Sequence, residues 1–162
     1  MGQAFVYDDD VNTDVIFPGK YTYTVTERSE MAAHALEDLD PGFRAQVKPG
    51  DVVVAGKNFG CGSSREQAVI CLTELGVKAV IAESFARIYF RNAINQGLPV
   101  IQLAGARDKI REGDEVEVDL AAGKLRVAGN EHTFPPYSAE VKAILDAGGL
   151  VNYTKHKLGL SS

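Results

Sequence analysis

The stretch Val52-Val-Val-Ala-Gly-Lys-Asn-Phe-Gly-Cys-Gly-Ser-Ser-Arg-Glu-Gln-Ala-Val-Ile-Cys-Leu-Thr-Glu-Leu-Gly-Val-Lys-Ala-Val-Ile-Ala82 sets the fold class. Lys48-Pro-Gly-Asp51 is turn chemistry, and Val52–Ala55 after it is an apolar run of strand length. Lys57–Gly62 is a glycine-rich loop. The spacing then predicts a helix from Ser63 to Leu75, closed by Gly76 in the position that favours a left-handed cap. Val77–Ala82 reads as a second strand, Ser84–Gln96 as a second helix closed by Gly97, and Leu98–Leu103 as a third strand. Strands and helices alternating at this spacing imply parallel pairing through right-handed crossovers. Both faces of such a sheet are covered, which explains strands that are apolar throughout.

Outward from this centre the pattern changes. Glu115–Leu120 alternates polar and apolar residues, Ala121-Ala-Gly123 turns, and Lys124–Ala128 alternates back, as in an antiparallel hairpin. Ser138 caps a predicted helix running to Ala147, ended by Gly148-Gly149. Toward the N-terminus, residues 3–7 read as a short strand, Asp8 to Asp14 as acidic turn chemistry, and Ser29 to Glu37 as a helix stopped by Asp40-Pro-Gly42. The expectation is α/β: a mixed sheet with a parallel βαβαβ core plus an antiparallel hairpin, in a single domain over residues 1–162.

Composition narrows the function. Apolar residues make up 45% and charged residues 24% of the chain, the proportions of a globular protein that buries a core. Seventeen basic against twenty-two acidic residues give a net charge of −5, which argues against nucleic acid as a partner. No apolar run approaches the roughly 18 residues of a membrane span. The N-terminal residues lack the basic and apolar regions of a signal peptide, so the expected location is the cytosol. Two cysteines, Cys61 and Cys71, and three isolated histidines cannot furnish a four-iron cluster or a four-ligand zinc site. No metal site is expected on this chain. Cys61 reads as a small space-filling residue, and Arg87 and Arg91 as one solvated helix face, with subunit contact as the alternative.

The segment Gly56 to Glu66 carries the chemistry. With a helix starting at Ser63, its free amides, the positive helix end and the adjacent glycines make an anion site. Ser63 and Glu66 would form a capping box there. A guanidinium at Arg65 adds unfavourable charge to that helix end, a cost of roughly 0.3–1 kcal/mol. A bound carboxylate offsets it, since charge-assisted hydrogen bonds contribute about 1.5–3 kcal/mol. No third glycine and no Gly-Lys-Ser follow at nucleotide-loop spacing, so a small carboxylic acid fits better than a nucleotide.

Asn58-Phe-Gly-Cys-Gly-Ser-Ser-Arg-Glu-Gln-Ala68 resembles the signature of the swivelling domain of the aconitase superfamily. Asn12-Thr-Asp-Val-Ile-Phe-Pro18, Ser84-Phe-Ala-Arg-Ile-Tyr-Phe-Arg-Asn-Ala-Ile-Asn-Gln-Gly-Leu-Pro99 and Asp146-Ala-Gly-Gly-Leu-Val-Asn152 are similar to further motifs of that family, in the same order. The resemblance implies a swivelling β/β/α domain serving as the small subunit of a two-subunit hydro-lyase, one that interconverts 2- and 3-isopropylmalate in leucine biosynthesis. It implies Ser63 as the base, and Gly62, Ser64 and Arg65 as groups holding a substrate carboxylate. Asp14 would support a histidine of the partner. A [4Fe-4S] cluster is expected on that large subunit and no cofactor on this chain; the isolated chain could also self-associate. The loop Tyr21, Thr22, Tyr23 and Thr24 matches the family's specificity loop. It has Tyr23 where enzymes acting on homoaconitate carry an arginine, which implies an apolar substituent such as isopropyl. Homoaconitate, methylcitrate and 2,3-dimethylmalate are the alternatives within the family. Outside it, the same helix mouth would suit a non-catalytic anion-binding or assembly module.

Overall fold

A computed structural model describes residues 2–159 of the chain. Its seven strands are β1 (Gly2–Val6), β2 (Val52–Ala55), β3 (Ala79–Ala82), β4 (Val100–Gln102), β5 (Glu115–Asp119), β6 (Lys124–Val127) and β7 (Asn130–Thr133). They lie in the order β4-β3-β2-β1-β5-β6-β7. β1 to β4 are mutually parallel, and β5, β6 and β7 continue the sheet antiparallel from β1. The parallel core and the hairpin therefore stand where the sequence predicts them.

Alternation along the parallel strands divides their side chains between two cores. Val53, Ala55, Val80, Ala82 and Val100 face α-helices, with Leu36, Phe43, Val69, Leu72 and Ala93 packed against them. Those helices are α1 (Thr13–Ile16), α2 (Arg28–Ala33), α3 (Phe43–Gln46), α4 (Gln67–Glu74), α5 (Arg87–Asn95) and α7 (Ala139–Asp146). Val52, Val54, Ala79, Ile81 and Ile101 face the other way, onto α6 (Ala106–Lys109) and the apolar side of the hairpin through Ile110, Val116, Leu125 and Phe134. The last helix, α8 (Leu150–Lys157), buries no residue fully.

Several boundaries depart from expectation. α4 begins at Gln67, not Ser63, and the expected capping box does not form: Glu66 is the N-cap and makes no side-chain cap hydrogen bond. Tertiary pairing overrides local propensity here. Cys61 bridges Asn12 in parallel, the Cys61 carbonyl accepts from the Thr13 amide at 2.8 Å, and the Ser63 carbonyl accepts from Thr13 Oγ1 at 2.8 Å. These contacts hold residues 61–63 beside the Asn12–Thr13 segment, outside the helix. α2 ends at Ala33, because Leu36 takes a left-handed φ of 55° that brings its amide to the Ile16 carbonyl. β7 is a strand the alternation did not signal. Ala128 and Gly129, both at positive φ, turn the chain so that Asn130–Thr133 pairs with β6. The short α1 also begins within what reads as an acidic turn. Its cap is the Asn12 side chain, which accepts from the Val15 amide at 3.0 Å.

Candidate active site

Parallel strands bring the loops at their C-terminal ends together, the place where open α/β sheets bind ligands. The loops after β1, β2 and β3 do not merely approach one another; they are zipped. Gly60 donates its amide to the Val11 carbonyl at 2.7 Å, Phe59 to Ser84 at 3.1 Å, and Ala86 to Phe59 at 2.9 Å. Gly60 is required in this zipper. It has a φ of 84°, and a Cβ there would stand 2.2 Å from a ring carbon of Tyr89.

Where the zipper ends, a cavity of about 220 Å³ opens, lined by Thr13, Gly60, Gly62, Ser63, Ser64, Arg65, Ala86, Arg87, Ile88, Tyr89 and Asn92. Four of the predicted site residues, Gly62, Ser63, Ser64 and Arg65, thus share one wall. Asp14 stands behind them, its Oδ1 2.5 Å from Arg65 Nη2. Ser64 Oγ accepts from Asn92 Nδ2 at 3.2 Å, which ties the second serine to α5.

The anion expected at Arg65 is therefore partly supplied from within, by Asp14. The pair is unequal. The Arg65 side chain is 19% exposed and that of Asp14 56%, while Arg65 Nη1 is buried with no hydrogen-bond partner. A buried donor left unmade costs about 1–3 kcal/mol, so this guanidinium retains capacity for a further acceptor. No acid lies among the lining residues, and two arginines do.

Tyr21 to Thr24 do not line the cavity. The loop meets the site through Gly19, where a Cβ would lie 3.1 Å from both Arg65 Nη1 and Asp14 Oδ1. Tyr23 projects outward and is 93% exposed. Tyr21 stacks on the His34 ring with centroids 3.8 Å apart, and His34 Nδ1 lies 3.0 Å from Glu37 Oε1. That hydrogen bond holds the Glu37 carboxyl below its ordinary range.

Thr13, Arg87 and Asn92 are cavity residues that sequence reading did not assign. For Arg87 a signal existed: it opens the helix after β3, beside the loop that follows β2. Neither thiol suits a metal or nucleophilic role. Burial, then the Asp10 carboxylate, pushes the Cys61 thiol up, and burial pushes up that of Cys71. Among the described residues no group of three or more His, Cys, Asp or Glu could hold a metal ion, so the donors present do not fit an iron–sulfur cluster. Nor is any described helix long and apolar enough to cross a membrane.

Comparison with known proteins bears on the family and the fold. Residues 11–106 match the family model described as the aconitase C-terminal domain. The chain is 49% identical to the 3-isopropylmalate dehydratase small subunit of Caldicellulosiruptor bescii, over 97% of this chain and 95% of that one. It is also 49% identical to the methanogen homoaconitase small subunit of Methanothermobacter thermautotrophicus, over 95% and 88%. A crystal structure of 3-isopropylmalate dehydratase from Methanocaldococcus jannaschii superimposes with a TM-score of 0.91 at 47% identity, covering 97% of this chain and 93% of that one.

Proposed function

Since the chain belongs to the aconitase C-terminal domain family, we propose that it is the small subunit of a 3-isopropylmalate dehydratase, completing that hydro-lyase's site against a larger, cluster-bearing chain. The observation that carries this is the open cavity on which Ser63, Ser64 and Arg65 converge, with one guanidinium donor unspent.

The chemistry follows from those groups. Arg65 and Ser64 hold a carboxylate of the substrate, a dicarboxylic hydroxy acid. Ser63 Oγ, as the alkoxide, takes the proton from the carbon next to that carboxylate and becomes the hydroxyl; the substrate's own hydroxyl departs on the partner's side, leaving an alkene. Return of water in the opposite sense gives the isomer. Negative charge developing on the substrate spreads into the carboxylate facing Arg65 and Arg87, a preorganised electrostatic arrangement. Such stabilisation needs a site shielded from water, yet Ser63 and Ser64 are exposed in this chain. The partner supplies the missing wall, so the chain is inactive alone. The half-exposed Asp14 carboxylate faces the partner as well, where it supports an acid–base histidine.

The second reading, a homoaconitate-type enzyme, draws on the Methanothermobacter relative. Tyr23, where a cation would meet an extra carboxylate, favours the isopropyl substrate instead. The pathway is leucine biosynthesis in the cytoplasm, and the unit is a single swivelling domain. The test is reconstitution with a large subunit. Ser63→Ala should lower kcat by about 10²–10⁴-fold, the span of general-base catalysis, with the complex still assembled. Full activity of Ser63→Ala would refute the base assignment. Carboxylate binding without turnover with any large subunit would favour a non-catalytic anion module.

A further inference from the structure

Gln67 is the first residue of α4 and stands two positions after Arg65. Its Nε2 donates to two main-chain carbonyls of the loop across the sequence, Thr22 at 3.0 Å and Val25 at 3.2 Å. Inside that loop the hydrogen bonds are short-range: Tyr21 to Pro18, Thr22 to Gly19, Thr24 and Val25 to Tyr21. A segment held only by such turns is free to move as a unit. Its own side chains do little to anchor the middle: Tyr23 and Thr24 are exposed, and the buried Thr22 hydroxyl has no partner. Outside attachments include the Tyr21–His34 stack, the burial of Val25, and Gln67. Among the described residues, Gln67 makes the side-chain hydrogen bonds that join the loop to the segment following Ser63 and Arg65. The anchor is firm, because Ala68 to Leu72 directly behind it are buried. At its other end the loop rests on the Arg65–Asp14 pair through Gly19.

We propose that Gln67 is a positioning residue, whose carboxamide sets the loop Gly19–Val25 in register with Arg65 and so fixes the space left for the substrate's alkyl substituent. This inference rests on the proposed role of the loop in meeting that substituent. Both N–H groups of one amide are spent on two carbonyls, so a replacement without donors frees both ends of the turn at once. Discrimination by an apolar pocket is worth roughly ten- to two-hundred-fold per methylene and depends on the pocket holding its shape.

The experiment uses the full chain reconstituted with a large subunit. The side chain in Gln67→Met has the same length and no donor. For this variant the ratio of kcat/KM for 3-isopropylmalate over that for a malate with a methyl substituent should fall about tenfold, carried by KM, with kcat for 3-isopropylmalate within about threefold of the parent. A merely structural role would lower the melting temperature and leave the ratio unchanged, and that result overturns the inference. Tyr23→Arg serves as the control for the loop itself. Should Tyr23→Arg also leave the ratio unchanged, the reading of the loop is at fault and not the clamp. Amide hydrogen exchange of the full-length Gln67→Met chain gives a readout that needs no assembly. Thr22–Val25 should exchange faster while Ala68–Leu72 stay protected; unchanged loop exchange overturns the clamp.

Discussion

Arg65 faces two ways, and its charge alone does not account for its position. One nitrogen of its planar fork meets Asp14, and the other is buried without a partner. A lysine preserves the charge and loses the fork. Arg65→Lys in the reconstituted enzyme should therefore lower kcat/KM by roughly 10–100-fold, the equivalent of one charge-assisted hydrogen bond, with the melting temperature of the chain little changed. Kinetics at saturating and limiting substrate check this; parent-like kcat/KM would show that the fork is not used. At this scale the sequence was legible where chemistry is local. Gly62 to Arg65 could be singled out because a glycine, two hydroxyls and a guanidinium stand in four consecutive positions. The Asp14–Arg65 pair was not legible: nothing in either neighbourhood states that residues from two different loops will meet.

Among the elements, the delayed start of α4 matters most. Helix propensity favours Ser63 as a start; the loop zipper overrules it. Removing the hydroxyl of Thr13 therefore releases Ser63 toward the helix. Thr13→Val should destabilise the chain by about 1 kcal/mol, the worth of an ordinary hydrogen bond, and should also lower activity because the base moves. Thermal melts and turnover of the complex together check both halves. Gly60→Ala strikes the same zipper harder. The left-handed backbone and the clash with Tyr89 together predict a loss of at least about 2 kcal/mol, measurable by denaturant titration. Elements carried by a continuous apolar run declared themselves in sequence: β2 falls on its predicted residues, and β3 and β4 within theirs. Elements without such a run did not. α1 and α3 are single turns fixed by a cap or by burial of Phe43, and β7 is a polar strand that exists only because Ala128-Gly129 folds it onto β6.

Over the whole molecule, buried ionisable groups set an alkaline limit. Burial pushes the hydroxyls of Tyr7, Tyr89 and Tyr137 and the thiol of Cys71 upward. Tyr7 is raised further by its hydrogen bond to Asp40 and Tyr89 by nearby Cys71. Because these folded-state values lie above the ordinary 9.0 for a thiol and 10.0 for a phenol, the unfolded chain releases protons that the native one keeps. Their stabilisation is full below about pH 9 and declines as pH rises past 9 and then 10. Melting curves from pH 8 to 11 should show this fall. Tyr89→Phe, which retains the ring packing against Phe59, should flatten it. A pH-independent melting temperature across that range would contradict the assignment.

The strand order has a consequence for how such a protein is made. β1 precedes the other described strands in the chain, yet it is neither at an edge nor beside its neighbour in sequence alone: Phe5 pairs with Val53, while Gln3 pairs with Glu115. During synthesis its two flanks stay bare until chain far downstream arrives, and topologies dominated by such distant pairings close slowly. Those first few residues are the seam between the parallel and antiparallel halves. Trimming them would split the sheet in two, whereas shortening the last helix would remove no fully buried residue among those described.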